Sequence, residues 1–176
     1  LFRPRAEGAA PPAEIADLPR PIFAYIGRLA VEKNIEAFLD LDLPGSKLVV
    51  GDGPQRAALE RRYADARFVG MRHGAELAAF YAAADVMAMP SLTETFGVVQ
   101  LESLACGTPV AAFPAPGPKD LLEGSGVGVL SEDLRAACLE ALTRDRAACR
   151  AFAAGYSWRR TAEILRDALA PIVRPV

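Results

Sequence analysis

"DVMAMPSLTETFGVVQLESLACGTPVAAF", residues 85–113, decides how the chain is read. Two short apolar runs, 86–89 and 109–113, flank a segment with the pattern of a helix over 98–106. The first run, "DVMAMP", does not alternate polar with apolar residues. Both faces of such a strand must be covered, the situation of a strand inside a parallel sheet flanked by helices. Gly107 is placed to end the intervening helix as its C′ residue. The same stretch carries two carboxylates, Glu94 and Glu102, with seven residues between them. Val98, Leu101, Leu104 and Ala105 are expected to form the buried side of the helix. Glu102 then lies roughly 100° around the axis from Leu101. It is either solvated at the flank or turned into a crevice as a hydrogen-bond acceptor.

Working outward, the pattern repeats. Strands are predicted over Ile22–Ile26, 47–50, 67–69, Val86–Met89, 109–113 and 127–130, with helices over 32–39, 54–63, 75–83, 98–106 and 119–123 between them. Three further helices are expected over 132–143, 145–153 and 158–170. Strands alternating with helices predict an α/β fold, a Rossmann-like doubly wound parallel sheet of about six strands. Local signals set the boundaries: Pro54 suits a first helical position, and Ser131 and Ser157 suit N-caps. Residues 1–20, rich in Pro and Ala, read as an interdomain linker and 21–176 as one domain.

Composition narrows the function. Hydrophobic residues make up 52% of the chain and charged residues 24%, with a formal net charge of -2, which suits a globular domain and gives no basic tract for nucleic acid. Apolar runs such as "PVAAFPAP" fall far short of the ~20 residues a membrane span needs. The three cysteines, Cys106, Cys138 and Cys149, have neither C-x-x-C spacing nor an even count, so a reducing cytoplasm is the expected compartment. His73, the sole histidine, cannot build a metal site alone.

In a doubly wound sheet ligands bind at the carboxyl ends of the strands. The loop "GRLAVEKN" follows the first strand: Gly27 permits close backbone approach, and Arg28 and Lys33 bring two cations that suit an anion. "GDGP", with Gly51, makes a tight turn after the second strand, although G-D-G is also an ordinary turn. It is not the G-x-G-x-x-G dinucleotide fingerprint, and "GSGVGV" runs into a strand instead of a helix. After the third strand, Met71 to Gly74 form a small wall that could flank a flat base. After the fourth, Phe96, Gly97 and Val98 bring backbone N–H groups to a helix N-terminus beside Glu94, an arrangement suited to an anion.

Taken in order, "GRLAVEKN", "GDGP", "FVG", "YAAADV" and "PSLTETFGVVQLESLACGTPV" resemble the C-terminal, nucleotide-sugar-binding domain of retaining GT-B-fold glycosyltransferases of group 1, also called family 4. The resemblance runs from about residue 1 to 173. It implies that Arg28 and Lys33 hold the donor diphosphate, helped by the backbone of Gly97 and Val98. It further implies that Glu94 faces the donor sugar and Glu102 the ribose hydroxyls, while Met71, Arg72 and Leu77 border the base. Glu94, Arg28 and Lys33 are the implied catalytic set, and Gly27, Gly51, Thr95 and Phe96 complete the donor site. No essential metal or other cofactor is implied beyond the nucleoside-diphosphate sugar substrate.

"FPAPGPKDLLEG" stands where many relatives carry a Gly-Gly and acid pattern. This form resembles the branch that includes glycolipid-forming transferases. A lipid or polysaccharide acceptor follows, with peripheral contact at the inner face of the cytoplasmic membrane through an N-terminal acceptor half. The family places the acceptor site and a cleft histidine on that half, which is missing from this chain, so the isolated domain is expected to bind donor without turnover. The alternatives are a nucleotide-sugar epimerase of the same fold and a non-catalytic nucleotide-sugar-binding module.

Overall fold

The computed structural model describes residues 1–4 and 10–169. Six strands, β1 (Ile22–Ile26), β2 (Ser46–Val50), β3 (Arg67–Gly70), β4 (Val86–Met89), β5 (Val110–Ala112) and β6 (Gly128–Leu130), form one parallel sheet in the order β3-β2-β1-β4-β5-β6. The eight α-helices among the described residues are α1 (Glu36–Leu39), α2 (Arg56–Arg62), α3 (Gly74–Ala83), α4 (Val98–Ala105), α5 (Pro116–Leu122), α6 (Leu134–Ala141), α7 (Arg146–Ala154) and α8 (Trp158–Ala168). No described helix is long and apolar enough to cross a membrane.

The non-alternating strands divide between two cores. Ile22, Ala24 and Ile26 of β1 join one buried cluster, while Phe23 and Tyr25 join the other. In β4, Met87 and Met89 enter the first cluster, and Val86 and Ala88 the second. Successive side chains leave opposite faces of a strand, so a run that is apolar throughout can form only where helices cover both faces. The order reverses between β1 and β4, which are neighbours although β2 and β3 separate them in sequence. At such a point the loops leaving adjacent strands diverge and open a crevice.

Local chemistry moves several boundaries. The helix expected over 32–39 is broken at Asn34, which adopts a left-handed conformation (φ 52°) between a 3-10 turn at Val31–Lys33 and α1. Pro54 is not the first helical residue; it lies in a turn before α2, whose N-cap is Gln55. The α6 N-cap is Asp133, whose carboxylate accepts from Ala136 N, and Ser131 instead accepts from Asp133 N one turn earlier. Ser157 does cap α8. The helix expected from Lys119 begins at Pro116, because prolines are tolerated in a first helical turn that lacks internal N–H partners. Its Pro-Gly-Pro sequence had read as loop.

The largest correction concerns α4. Its buried residues are Gln100, Ser103 and Leu104, whereas Val98 is exposed and Leu101 and Ala105 are half-buried. The polar residues that face inward are bonded locally, Gln100 Nε2 donating to Phe96 O at 2.7 Å and Ser103 Oγ to Thr108 O at 2.8 Å, while Gln100 Oε1 is buried without a partner among the described residues. Val98, Leu101, Glu102 and Ala105 instead border a cavity, with Leu101 and Ala105 also packed against the edge of the first core. Gly107 ends the helix as expected, with φ 77° and its N–H on Leu104 O.

Of the segment read as a linker, residues 1–4 and 10–20 are described, and they pack on the domain. Ile15 is buried in the first core, and Phe2 sets its ring edge-on to Tyr81 at 5.8 Å.

Candidate functional site

The loops after β1 and β2 are joined backbone to backbone. Leu29 N donates to Asp52 O at 2.9 Å and Gln55 N to Leu29 O at 3.1 Å. A Cβ on Gly51 would stand 1.9 Å from the Gly27 carbonyl oxygen, so only glycine allows this approach. Gly51 therefore packs directly beside the Gly27–Arg28 turn.

Above that turn, between β1 and β4, lies a cavity of about 380 Å³. Gly27, Arg28, Lys33, Glu94, Thr95, Phe96, Gly97 and Val98 all line it, so eight of the expected site residues are brought together. Lys33 Nζ lies 2.8 Å from Glu94 Oε2, and the Glu94 side chain is only 15% exposed. The Arg28 guanidinium reaches out to Glu32 at 3.8 Å and is mostly exposed. Tyr25, buried at the cavity floor, donates its hydroxyl to Arg28 O at 2.8 Å. Burial first, then the Glu94 and Glu32 carboxylates, push its phenol well above the usual range, so it stays protonated.

The start of α4 forms the opposite wall. Gly97 is the N-cap in left-handed conformation (φ 71°), and a Cβ there would meet Met89 Cε at 2.7 Å. The first N–H groups of the helix, at Val98 and Val99, have no intrahelical acceptor and border the cavity. Next to them, α5 closes on the loop: Gly117 N donates to Glu94 O at 2.9 Å. A Cβ on Gly117 would come within 2.8 Å of Phe96 N. Asn34 adds a second tie, its Nδ2 donating to Pro90 O at 3.1 Å. The loop carrying Glu94 is thus fixed from both sides.

Glu102 does not share this cavity. It lines a second one of about 540 Å³, with Phe96, Val98, Leu101 and Ala105 on one side and Phe2, Ala153 and Tyr156 among the other walls. Phe96 and Val98 belong to both cavities, so the two adjoin along the first turn of α4. Tyr81 Oη donates to Glu102 Oε2 at 3.0 Å. Burial raises the Glu102 pKa above the ordinary carboxylate range, and the Tyr81 bond works against that rise.

Four expected residues line neither cavity. Gly51 packs beside Gly27, which lines the first. Met71 is exposed after β3, and Leu77 packs half-buried against the first core. Arg72, expected at a base, is committed elsewhere: it meets Glu14 Oε1 at 3.1 Å and Met71 O at 3.0 Å, and lies over the Phe80 ring. Sequence reasoning missed Tyr25, Tyr81 and Gly117. A phenol in an otherwise apolar buried run, whose hydroxyl needs a partner, was the available signal for the two tyrosines.

Comparison with known proteins places the fold in a family. Residues 20–144 match the family model described as glycosyl transferases group 1. A GDP-mannose-dependent alpha-mannosyltransferase of Mycobacterium tuberculosis is 42% identical over 113 residues, covering 63% of this chain and 30% of its own. A D-inositol 3-phosphate glycosyltransferase of Mycolicibacterium paratuberculosis is 34% identical over 192 residues, covering 94% of this chain and 43% of its own. The chain thus spans well under half the length of these relatives. The solved structure of Anabaena HepE in complex with UDP superposes with a TM-score of 0.67 at 24% identity, over 87% of this chain and 50% of that one, and shares its fold. A doubly wound sheet with its loops gathered at the β1/β4 reversal, matched over 20–144, places this chain among the group 1 glycosyl transferases, as a Rossmann-like domain of the GT-B fold.

Proposed function

We propose that the chain is the donor half of a retaining family 4 glycosyltransferase, binding a nucleoside-diphosphate sugar whose hexosyl group passes to a hydroxyl acceptor. The observation that carries this reading is the junction at the start of α4. Lys33, Arg28 and the first turn of α4 line one cavity, and Glu102 lines the adjoining one a turn further along. Convergent cations and helix N–H groups suit a diphosphate, and an acidic acceptor beyond them suits ribose hydroxyls.

In this reading Arg28 and Lys33 hold the diphosphate and offset the charge that grows on the leaving nucleoside diphosphate as the glycosidic bond breaks. Glu94 meets the sugar, Glu102 the ribose, and Met71 borders the base. Two lines of similarity support a nucleoside diphosphate as the common element. One relative is named for its dependence on GDP-mannose, and the solved neighbour holds UDP. A glycolipid or polysaccharide acceptor, carried by an N-terminal half at the inner face of the cytoplasmic membrane, and independence from metal complete the proposal.

Calorimetric titration of the chain with GDP, UDP and ADP, each with and without EDTA, tests it. Binding of at least one of them, unchanged by EDTA, is expected. A folded chain that binds none of the three would end the reading.

A further inference from the structure

The side chain of Tyr81 is fully buried, and its ring would be replaced without loss of volume by Phe. Its hydroxyl nevertheless reaches out of α3 to a residue of α4, donating to Glu102 Oε2 at 3.0 Å. The ring itself is clamped. Phe2 stands edge-on at 5.8 Å, and the side chain is enclosed completely, at 0% exposure. A clamped ring holds its hydroxyl at a fixed point, so the carboxylate that accepts from it is held as well.

Resting on the donor-site reading above, we propose that Tyr81 is a positioning residue for nucleotide recognition. Its hydroxyl occupies one oxygen of Glu102 and so fixes the other, Oε1, toward the second cavity as the acceptor for ribose hydroxyls. Burial keeps the Tyr81 proton on, leaving the hydroxyl a donor throughout the working pH range. Without it, the half-buried Glu102 carboxylate would lose both a charge-assisted bond and its rotamer restraint.

Discrimination between ribose and deoxyribose separates this role from a structural one. The chain is titrated with whichever of GDP, UDP and ADP binds it best, and with the 2′- and 3′-deoxy forms of that nucleotide. Tyr81→Phe should weaken the ribonucleotide roughly tenfold, the scale of a hydrogen bond to a charged group, while leaving the deoxy form that lacks the contacted hydroxyl nearly unchanged. In an E102A background, Y81F should have no further effect. Equal weakening of all forms, or full additivity with E102A, would make Tyr81 merely structural and overturn the inference, although nucleotide binding by the wild type would still uphold the donor site. A wild type that binds no nucleotide would remove both. Should Y81F fail to fold, 3-fluorotyrosine at position 81 replaces it: its ¹⁹F resonance should shift with the ribonucleotide and stay in place with the deoxy form. An identical shift with both would overturn the inference.

Discussion

Lys33 and Glu94 stand 61 positions apart in the chain and 2.8 Å apart in space, joining the loop after β1 to the loop after β4 across the sheet reversal. Both residues line the first cavity, a cation and an anion from different loops. In the proposed donor site a diphosphate would compete with Glu94 for the Lys33 ammonium, and a sugar hydroxyl would then donate to the released carboxylate.

Lys33→Ala is therefore expected to weaken nucleoside diphosphate binding by about 1.5–3 kcal/mol, the range for hydrogen bonds to charged groups. The corresponding nucleoside monophosphate should lose much less. Titrations at two ionic strengths supply a second check: added salt should weaken the wild type more than the variant, because one screened attraction is already gone. Equal losses for mono- and diphosphate would place Lys33 away from the diphosphate.

Gly117 has no side chain where α5 rests on the backbone of residues 94–96. Gly117→Ala forces its methyl to within 2.8 Å of Phe96 N, a contact that backbone must yield to. Overpacking of this kind costs about 1–3 kcal/mol. Thermal unfolding should show the loss, and nucleotide affinity should fall with it because the displaced loop carries Glu94. A stable G117A chain with unchanged affinity would mean that the loop has slack the close packing does not suggest.

The distinction between what sequence reveals and what packing decides shows clearly along α4. Its ends were legible to within a residue, since Gly97 and Gly107 mark changes of backbone conformation that any context would require. Its rotation was not. Val98 looks like core by hydropathy yet is exposed, and Leu101 and Ala105 reach the core only at its edge and line a cavity, because Gln100 and Ser103 take the inward positions with backbone partners. That rotation also decides which crevice Glu102 enters. Strand positions were recoverable because a run apolar on both faces has few alternatives, whereas the Lys33–Glu94 and Tyr81–Glu102 pairs depend on which strands become neighbours. Arg72 illustrates the same limit, drawn by Glu14 from a segment that composition marked as linker.

Asn34 holds a left-handed conformation and donates to Pro90 O, so two roles coincide in one residue. They can be separated. Asn34→Gly keeps the backbone conformation but loses the tie, while Asn34→Ala loses the tie and adds about 1–2 kcal/mol of backbone strain. Chemical denaturation should rank the alanine variant below the glycine variant. Nucleotide affinity should fall alike in both, since both free the loop after β4. Unequal affinities would assign the binding effect to the turn instead of the tie.

Glu102 is expected to set function against stability, and pH resolves the two. Burial raises its folded-state pKa above the unfolded value, so the folded chain binds the proton more readily within that window. Stability falls as pH rises through the window from the unfolded pKa to the raised folded one. The whole penalty is present above the window and absent below the unfolded value. Glu102→Gln removes the charge and keeps an oxygen to accept from Tyr81. At pH 7 the variant should therefore unfold at a higher temperature than the wild type, and the gain should vanish in acid, below the unfolded carboxylate pKa. The same variant should bind the ribonucleotide more weakly at pH 7, because an amide is a poorer acceptor for ribose hydroxyls than a carboxylate. Melting curves and titrations on one pair of samples check both halves. A variant that loses affinity without gaining stability would show that the ionised carboxylate carries no burial penalty, and one that gains stability with full affinity would remove Glu102 from the nucleotide.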